Sequence, residues 1–224
     1  MVYRAVYLCI LLIVLSGGSG GFLPAQQLRP EVVDLRQLAE QGNVEAQMSL
    51  GTIYQFGDGV RQDQTEAFKW YLRAAKRGDP RAQSNIGSMY STGEGVPRDY
   101  AKSVQWYRKA AKQGNSSAQF NLGTMYDTGR GVQKNYTEAV KWFQEAAKQG
   151  DIDAQFTLGL MYHRGDGTLQ NNVQAYKWVR LAWMHAPVSD ADDYQNTLET
   201  IRTTMTAEEI SKAQLLIKKW QVRR

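Results

Sequence analysis

Few side chains in this sequence are of the types that run covalent or metal chemistry. Its 224 residues include two histidines, His163 and His185, and one cysteine, Cys9. The histidines stand 22 residues apart. Neither lies in an H-E-x-x-H frame, the spacing that sets two imidazoles on one helix face around zinc. One thiol can form neither an internal disulfide nor a structural thiolate zinc site. No S-x-x-K frame is present to prime a serine nucleophile. Four Gly-x-Gly pairs, at 57/59, 93/95, 129/131 and 165/167, invite comparison with a phosphate cradle. Each lacks the third glycine of a dinucleotide fingerprint, and no strand pattern leads into it, so they read as turns. The expectation is a non-enzymatic protein with no cofactor and no metal.

What must be positioned is then a surface, and the spacing of recurring residues shows the elements that carry it. Gly51, Gly87, Gly123 and Gly159 are 36 residues apart, and so are Trp70, Trp106, Trp142 and Trp178. The same step links Ala46-Gln47, Ala82-Gln83, Ala118-Gln119 and Ala154-Gln155, and Tyr54, Tyr90, Tyr126 and Tyr162. Self-similarity at such a period is the mark of a stacked repeat. It also explains 20 glycines beside five prolines as turn punctuation, not linker.

Each unit reads as helix–turn–helix. In the first, Ala46, Leu50, Ile53 and Tyr54 give a helical apolar stripe over Val44 to Phe56. Gly57-Asp58-Gly59-Val60 makes the turn. The second helix starts at Asp63, Asp99, Asn135 or Asn171, with Glu66 and Glu138 placed to complete a capping box. Its core face is Ala67, Trp70, Tyr71, Ala74 and Ala75, and Gly78, Gly114 or Gly150 ends it. One pair cannot bury such a face, so the fold class is all-α, a right-handed α-solenoid.

The units run over 43–78, 79–114, 115–150 and a degenerate 151–186, where Ala186-Pro187 replaces the glycine stop and Trp183 is added. Residues 26–42 predict a capping helix with Val33, Leu35, Leu38 and Ala39 as its apolar face. Residues 187–224 predict two more, the last capped by Thr206 with Glu209 and sealed by Ile210, Ala213, Ile217 and Trp220. Residues 1–25 have the form of a secretory signal. Arg4 precedes an apolar run of 11 residues, Ala5 to Leu15, too short for the ~20 that span a bilayer. Cleavage after Ala25 or within the Gly17–Gly21 run leaves an exported chain, periplasmic or secreted, with no cysteine and no membrane span. An uncleaved anchor is the alternative.

The pattern A-Q-x-x-L-G-x-x-Y-x-x-G-x-G-V, followed by A-x-x-W-[YF]-x-x-A-A-x-x-G, resembles Sel1-like repeats, relatives of the tetratricopeptide family. It covers residues 43–186. The resemblance implies an adaptor that holds other proteins. A cysteine-rich bacterial branch is linked to binding or hydrolysing penicillin-type compounds, through repeats that each carry a disulfide. The four units here have no cysteine.

Comparing the four copies picks out a face. In the first helices the recurring columns fall on one half of the helical wheel, and the columns that change fall on the other. The resemblance places first helices on the concave side of the superhelix. The candidate groove residues are Met48, Thr52, Phe56, Asn85, Ser88, Phe120, Asn121, Thr124, Asp127, Phe156, Leu160, His163 and Arg164, with Phe120 and Phe156 as the aromatic anchors. The expected partner is a protein or peptide. The alternatives are a small-molecule or cell-wall-fragment binder, a weak β-lactam hydrolase as in the cysteine-rich branch, or a spacer with a merely solvated face. The net charge of +5 is shallow, and many basic residues (Lys69, Arg73, Lys76, Lys102, Lys109, Lys112) fall on second helices. That argues against nucleic acid, which wants one concentrated basic face, and leaves weak contact with an anionic surface open. Asn115-Ser-Ser and Asn135-Tyr-Thr match the glycosylation pattern, but turn and cap roles account for both asparagines.

Overall fold

A computed structural model of the chain describes residues 30–222. The secretory-signal expectation lies outside the described residues. Within them are eleven α-helices, one short 3-10 turn over Val188–Asp190, and no strand. They are α1 (Pro30–Glu40), α2 (Val44–Phe56), α3 (Gln64–Lys76), α4 (Pro80–Thr92), α5 (Tyr100–Lys112), α6 (Ser116–Thr128), α7 (Tyr136–Gln149), α8 (Ile152–Arg164), α9 (Asn172–Trp183), α10 (Ala191–Thr203) and α11 (Ala207–Val222). Helices α2 to α9 form the four pairs, each helix packing on its neighbours in sequence. The stack is an α-solenoid.

Capping sets the helix starts. Asn43, Asp79, Asn115 and Asp151 each accept a hydrogen bond from a backbone N–H of the first turn, at 2.8–2.9 Å. Asp63, Asp99, Asn135 and Asn171 do the same for the second helices. The expected capping box at Glu66 is only half made. The Asp63 N–H donates instead to the Tyr54 carbonyl at 2.9 Å, and Glu66 turns to Lys69. Asn135 likewise donates to Tyr126. A carbonyl left over at the end of the preceding helix is closer to hand than the glutamate. At α11 no such carbonyl competes, and the box is complete. Thr206 N–H donates to Glu209, and the Glu209 N–H to Thr206 Oγ1.

Two glycine columns exist because other groups occupy the place of a side chain. A Cβ on Gly51 would overlap the ring of Tyr71. Gly87 meets Tyr107, Gly123 meets Phe143 and Gly159 meets Val179 in the same way. Gly95, at φ +68°, abuts the Gln64 carbonyl of the preceding pair, and Gly131 abuts Tyr100 likewise. In the second, third and fourth pairs the second glycine of Gly-x-Gly thus lets a turn dock on the start of the previous second helix.

A buried amide ladder joins the pairs. Gln47, Gln83, Gln119 and Gln155 donate through Nε2 to the carbonyls of Ala39, Ala75, Ala111 and Ala147, at 2.9–3.2 Å. These carbonyls stand at the end of the preceding helix, where each also accepts from the N–H of the glycine three residues on, Gly42, Gly78, Gly114 or Gly150.

The ends differ from expectation in detail. In α1, Val32 and Ala39 are buried, whereas Val33 is 50% and Leu38 47% exposed. Ala39 and Leu35 of the expected face meet the core, whereas Val32 takes the place of Val33 and Leu38, because Val32, Leu35 and Ala39 form the one helical stripe that faces α2. At the other end, α10 and α11 both dock on α9. Tyr194, Leu198 and Ile201 bury the α10 face, and Ala213 and Ile217 the α11 face, with Trp220 edge-on to Trp178 at 5.2 Å.

Candidate partner-binding face

The outward face of α2, α4, α6 and α8 carries residues of three kinds. The first kind is exposed. Thr52, Phe56, Ser88, Thr92, Thr128 and Arg164 stand clear, Phe56 most of all at 73%. Glu45 and Arg81 are also exposed, and they join α2 to α4 by an ion pair of 2.7 Å. Arg81 reaches Asp79 as well, at 3.0 Å. Hydrogen bonds to Glu45 and then Asp79 hold the Arg81 guanidinium above its ordinary pKa. Burial pushes the Asp79 carboxyl up, but Arg81 and two backbone N–H groups outweigh it and leave the carboxyl below its usual range.

Residues of the second kind form a half-buried floor. Asn85, Asn121, Thr124, Asp127 and Leu160 belong here. The Tyr71 hydroxyl reaches this floor from α3, donating to Gln55 Oε1 at 2.8 Å and lying 3.1 Å from Thr52 Oγ1. Burial raises the Tyr71 pKa, and hydrogen bonds to Thr52 and Asn85 moderate the rise. Tyr107 sits likewise beneath Ser88 and Ser103. Phe143 and Val179 bring no hydroxyl, so this second-helix position supplies the floor with one only in the first two pairs. The hydroxyls come from second helices, so comparing the first helices alone does not reveal them. The Tyr-Tyr-Phe-Val series in the second helices was the available signal.

The third kind is packed away. Met48 is buried, and so is not presented to a partner. Phe120 is half-buried against Phe143, centroids 5.6 Å apart. Phe156 stacks on Tyr194 of α10 at 4.1 Å. Neither ring is the free anchor expected, because the column containing Met48 and Ser84 points between helices, not outward. His163 is also engaged. Its Nδ1 lies 2.9 Å from Asn172 Oδ1, and Asn172 donates to Thr204 Oγ1 at 2.9 Å. Through Phe156 and His163, the fourth pair is tied to α10 and the link that follows it.

Hydroxyls on this face are largely satisfied by their own helices. Thr52, Thr92, Thr124 and Thr128 each donate to the carbonyl four residues back. Among the described residues no group of three or more His, Cys, Asp or Glu is placed to hold a metal ion. No described helix is long and apolar enough to cross a membrane.

This geometry of near-identical pairs has a direct counterpart among known families. The Sel1 repeat matches residues 44–79, 80–115, 116–151 and 152–182. The chain belongs to the Sel1 repeat family. No curated protein matches it. Among solved structures it is similar to c5321, a protective antigen of uropathogenic Escherichia coli displaying an SLR fold, with 34% identity and a TM-score of 0.75. That match covers 84% of this chain and 40% of c5321, so the chain spans about two fifths of that relative. A Sel1 repeat protein from Oxalobacter formigenes is 28% identical with a TM-score of 0.65, covering 80% of this chain and 81% of its own. Sel1 repeat proteins are generally protein-interaction modules and non-catalytic scaffolds.

Proposed function

We propose that this Sel1 repeat chain is an exported, non-enzymatic adaptor of the cell envelope or secreted space. It holds a protein or extended peptide against the outward face of its first helices, on the concave side of the stack. One observation carries the reading. Many packed columns recur in every pair, as Ala46, Ala82, Ala118 and Ala154 do, while the exposed ones differ, as Glu45, Arg81, Ser117 and Asp153, and as Phe56, Thr92, Thr128 and Arg164. A rigid scaffold with a varied surface loses little conformational freedom on binding. Phe56 replaces Phe120 and Phe156 as the aromatic anchor, since it is the ring left exposed. The basic residues Lys69, Lys102, Lys109 and Lys112 are exposed on second helices, which supports weak contact with an anionic surface and no nucleic-acid site.

The test is site-specific photo-crosslinking from position 88 of the full chain in its native compartment. A discrete crosslinked product that is lost in Phe56→Ala, with the helical melt unchanged, is the expected result. A product that survives Phe56→Ala, or none from any position on this face, sinks the assignment.

A further inference from the structure

An amide in the ladder lacks a partner, and the basic residues beside it say what would supply one. In the second and third pairs both ends of the ladder amide are used. Gln113 Nε2 donates to Gln83 Oε1 at 2.8 Å, and Gln149 Nε2 to Gln119 Oε1 at 2.7 Å. In the first pair Arg77 stands where Gln113 and Gln149 stand. Gln47 is 3% exposed and its Oε1 accepts no hydrogen bond. A buried acceptor without a donor is costly and rare in a folded protein.

Gln47 lines an open cavity of about 550 Å³ with Ala39, Glu40, Gly42, Arg73, Lys76 and Arg77. Three cations thus meet one carboxylate. That carboxylate, Glu40, is ion-paired with Arg36 at 3.3 Å. Arg73 lies over Trp70, 4.4 Å from its ring, while Lys76 and Arg77 have no ion pair among the described residues. The Arg77 guanidinium lies over Gly42, where any Cβ would overlap it. Gly78 and Gly114, the equivalents of Gly42, have nothing within 4 Å of a built Cβ. Gln155 at the far end also has an unpaired Oε1, but Leu181, Met184 and His185 stand there in place of the three cations.

We propose that Arg73, Lys76, Arg77 and Gln47 form a binding site for a phosphate that keeps one P–OH, as inorganic phosphate or a phosphomonoester. The cations take the charged oxygens, Arg77 in the bidentate manner open to a guanidinium. The P–OH donates to Gln47 Oε1, which is closed to solvent, so binding requires a side chain lining the cavity to swing aside. The cavity leaves room for the organic part of a monoester.

The requirement for a donor separates this site from a plain basic patch. A phosphomonoester has its second pKa near 6, so at about pH 6 half of it carries the P–OH. Sulfate and the phosphodiester of a phospholipid headgroup carry none. Calorimetry on the full chain at about pH 6 should show binding of inorganic phosphate and glycerol phosphate, with sulfate about tenfold weaker. Phosphatidylglycerol vesicles should not compete. The decisive variant is Arg77→Gln, which installs the arrangement of the next two pairs. It should close Gln47 Oε1, raise the melting temperature and abolish phosphate binding. Equal affinity for sulfate and phosphate, vesicle competition, or unchanged binding in Arg77→Gln each overturns the proposal. Lys76→Gln, which leaves the ladder untouched, should weaken phosphate binding several-fold, and no loss there counts against the site.

Discussion

The ring of Tyr194 on α10 lies flat on that of Phe156 on α8, with centroids 4.1 Å apart and planes 8° from parallel. The stack covers the end of the fourth pair, which otherwise would present half a core to solvent. Terminal units of a repeat array need such a cover because each unit buries its face only against a neighbour. Tyr194→Ala should cost about 3 kcal/mol, from lost buried ring area and the cavity left behind. Urea titration by circular dichroism checks this, and a loss below the measurement error would show that α10 does not seal the stack.

The glycine columns make a paired prediction. Gly87→Ala forces a methyl into the Tyr107 ring and should destabilise by about 1–3 kcal/mol. Gly114→Ala meets nothing within 4 Å, and only its φ of +86° resists a side chain, costing about 1 kcal/mol. Thermal melts of the two variants should therefore differ, and a reversed order would refute the close-approach account.

Gln119→Leu removes the bond to the Ala111 carbonyl and leaves Gln149 Nε2 without its acceptor. The Gly114 N–H still donates to that carbonyl at 3.0 Å, so the cost is that of a lost hydrogen bond, about 0.5–1.5 kcal/mol. Amide hydrogen exchange should quicken at the α5–α6 join before it does at the chain ends. Uniform quickening would show that the ladder does not act locally between pairs.

Two acids should give opposite pH responses. Burial first, then the charges of Asp151 and Asp190, push Asp153 above the usual carboxylate range. The folded chain then holds this proton more tightly than the unfolded one. Ionised Asp153 opposes folding, and stability falls as pH rises through the raised value. Asp153→Asn should raise the melting temperature at neutral pH, with the gain vanishing below about pH 3.9, where both states are protonated. Asp79 is the reverse case. Its carboxyl is held low, so its contribution is present above the ordinary range and fades as pH falls through the lowered value. Asp79→Asn keeps a capping oxygen but loses the charge facing Arg81, and should lower stability at neutral pH only. Solvent exposure limits each effect to the order of 0.5 kcal/mol. Melts at neutral and acid pH read both signs.

Much of this architecture is legible in the residues alone. A 36-residue recurrence of Gly, Tyr, Trp and Ala-Gln leaves helical pairs as the reading, since no other element buries those spacings on one face. The bounds of α2, the caps at Asp63 and Asn135, and the stops at Gly78 and Gly114 follow from local chemistry, which acts within one turn of chain. What acts across pairs is not written that way. Phe56 and Phe120 look alike in sequence as side chains on the variable half of a first helix. Only packing decides that Phe56 stands in solvent, Phe120 lies on Phe143, and Phe156 lies under Tyr194, 38 residues further on. The same holds for Gln47. Its recurrence marks it as structural, but whether its oxygen is satisfied depends on the residue 30 positions later. In the first pair that residue is Arg77, and the partner it leaves wanting is a matter of three-dimensional neighbours, not of period.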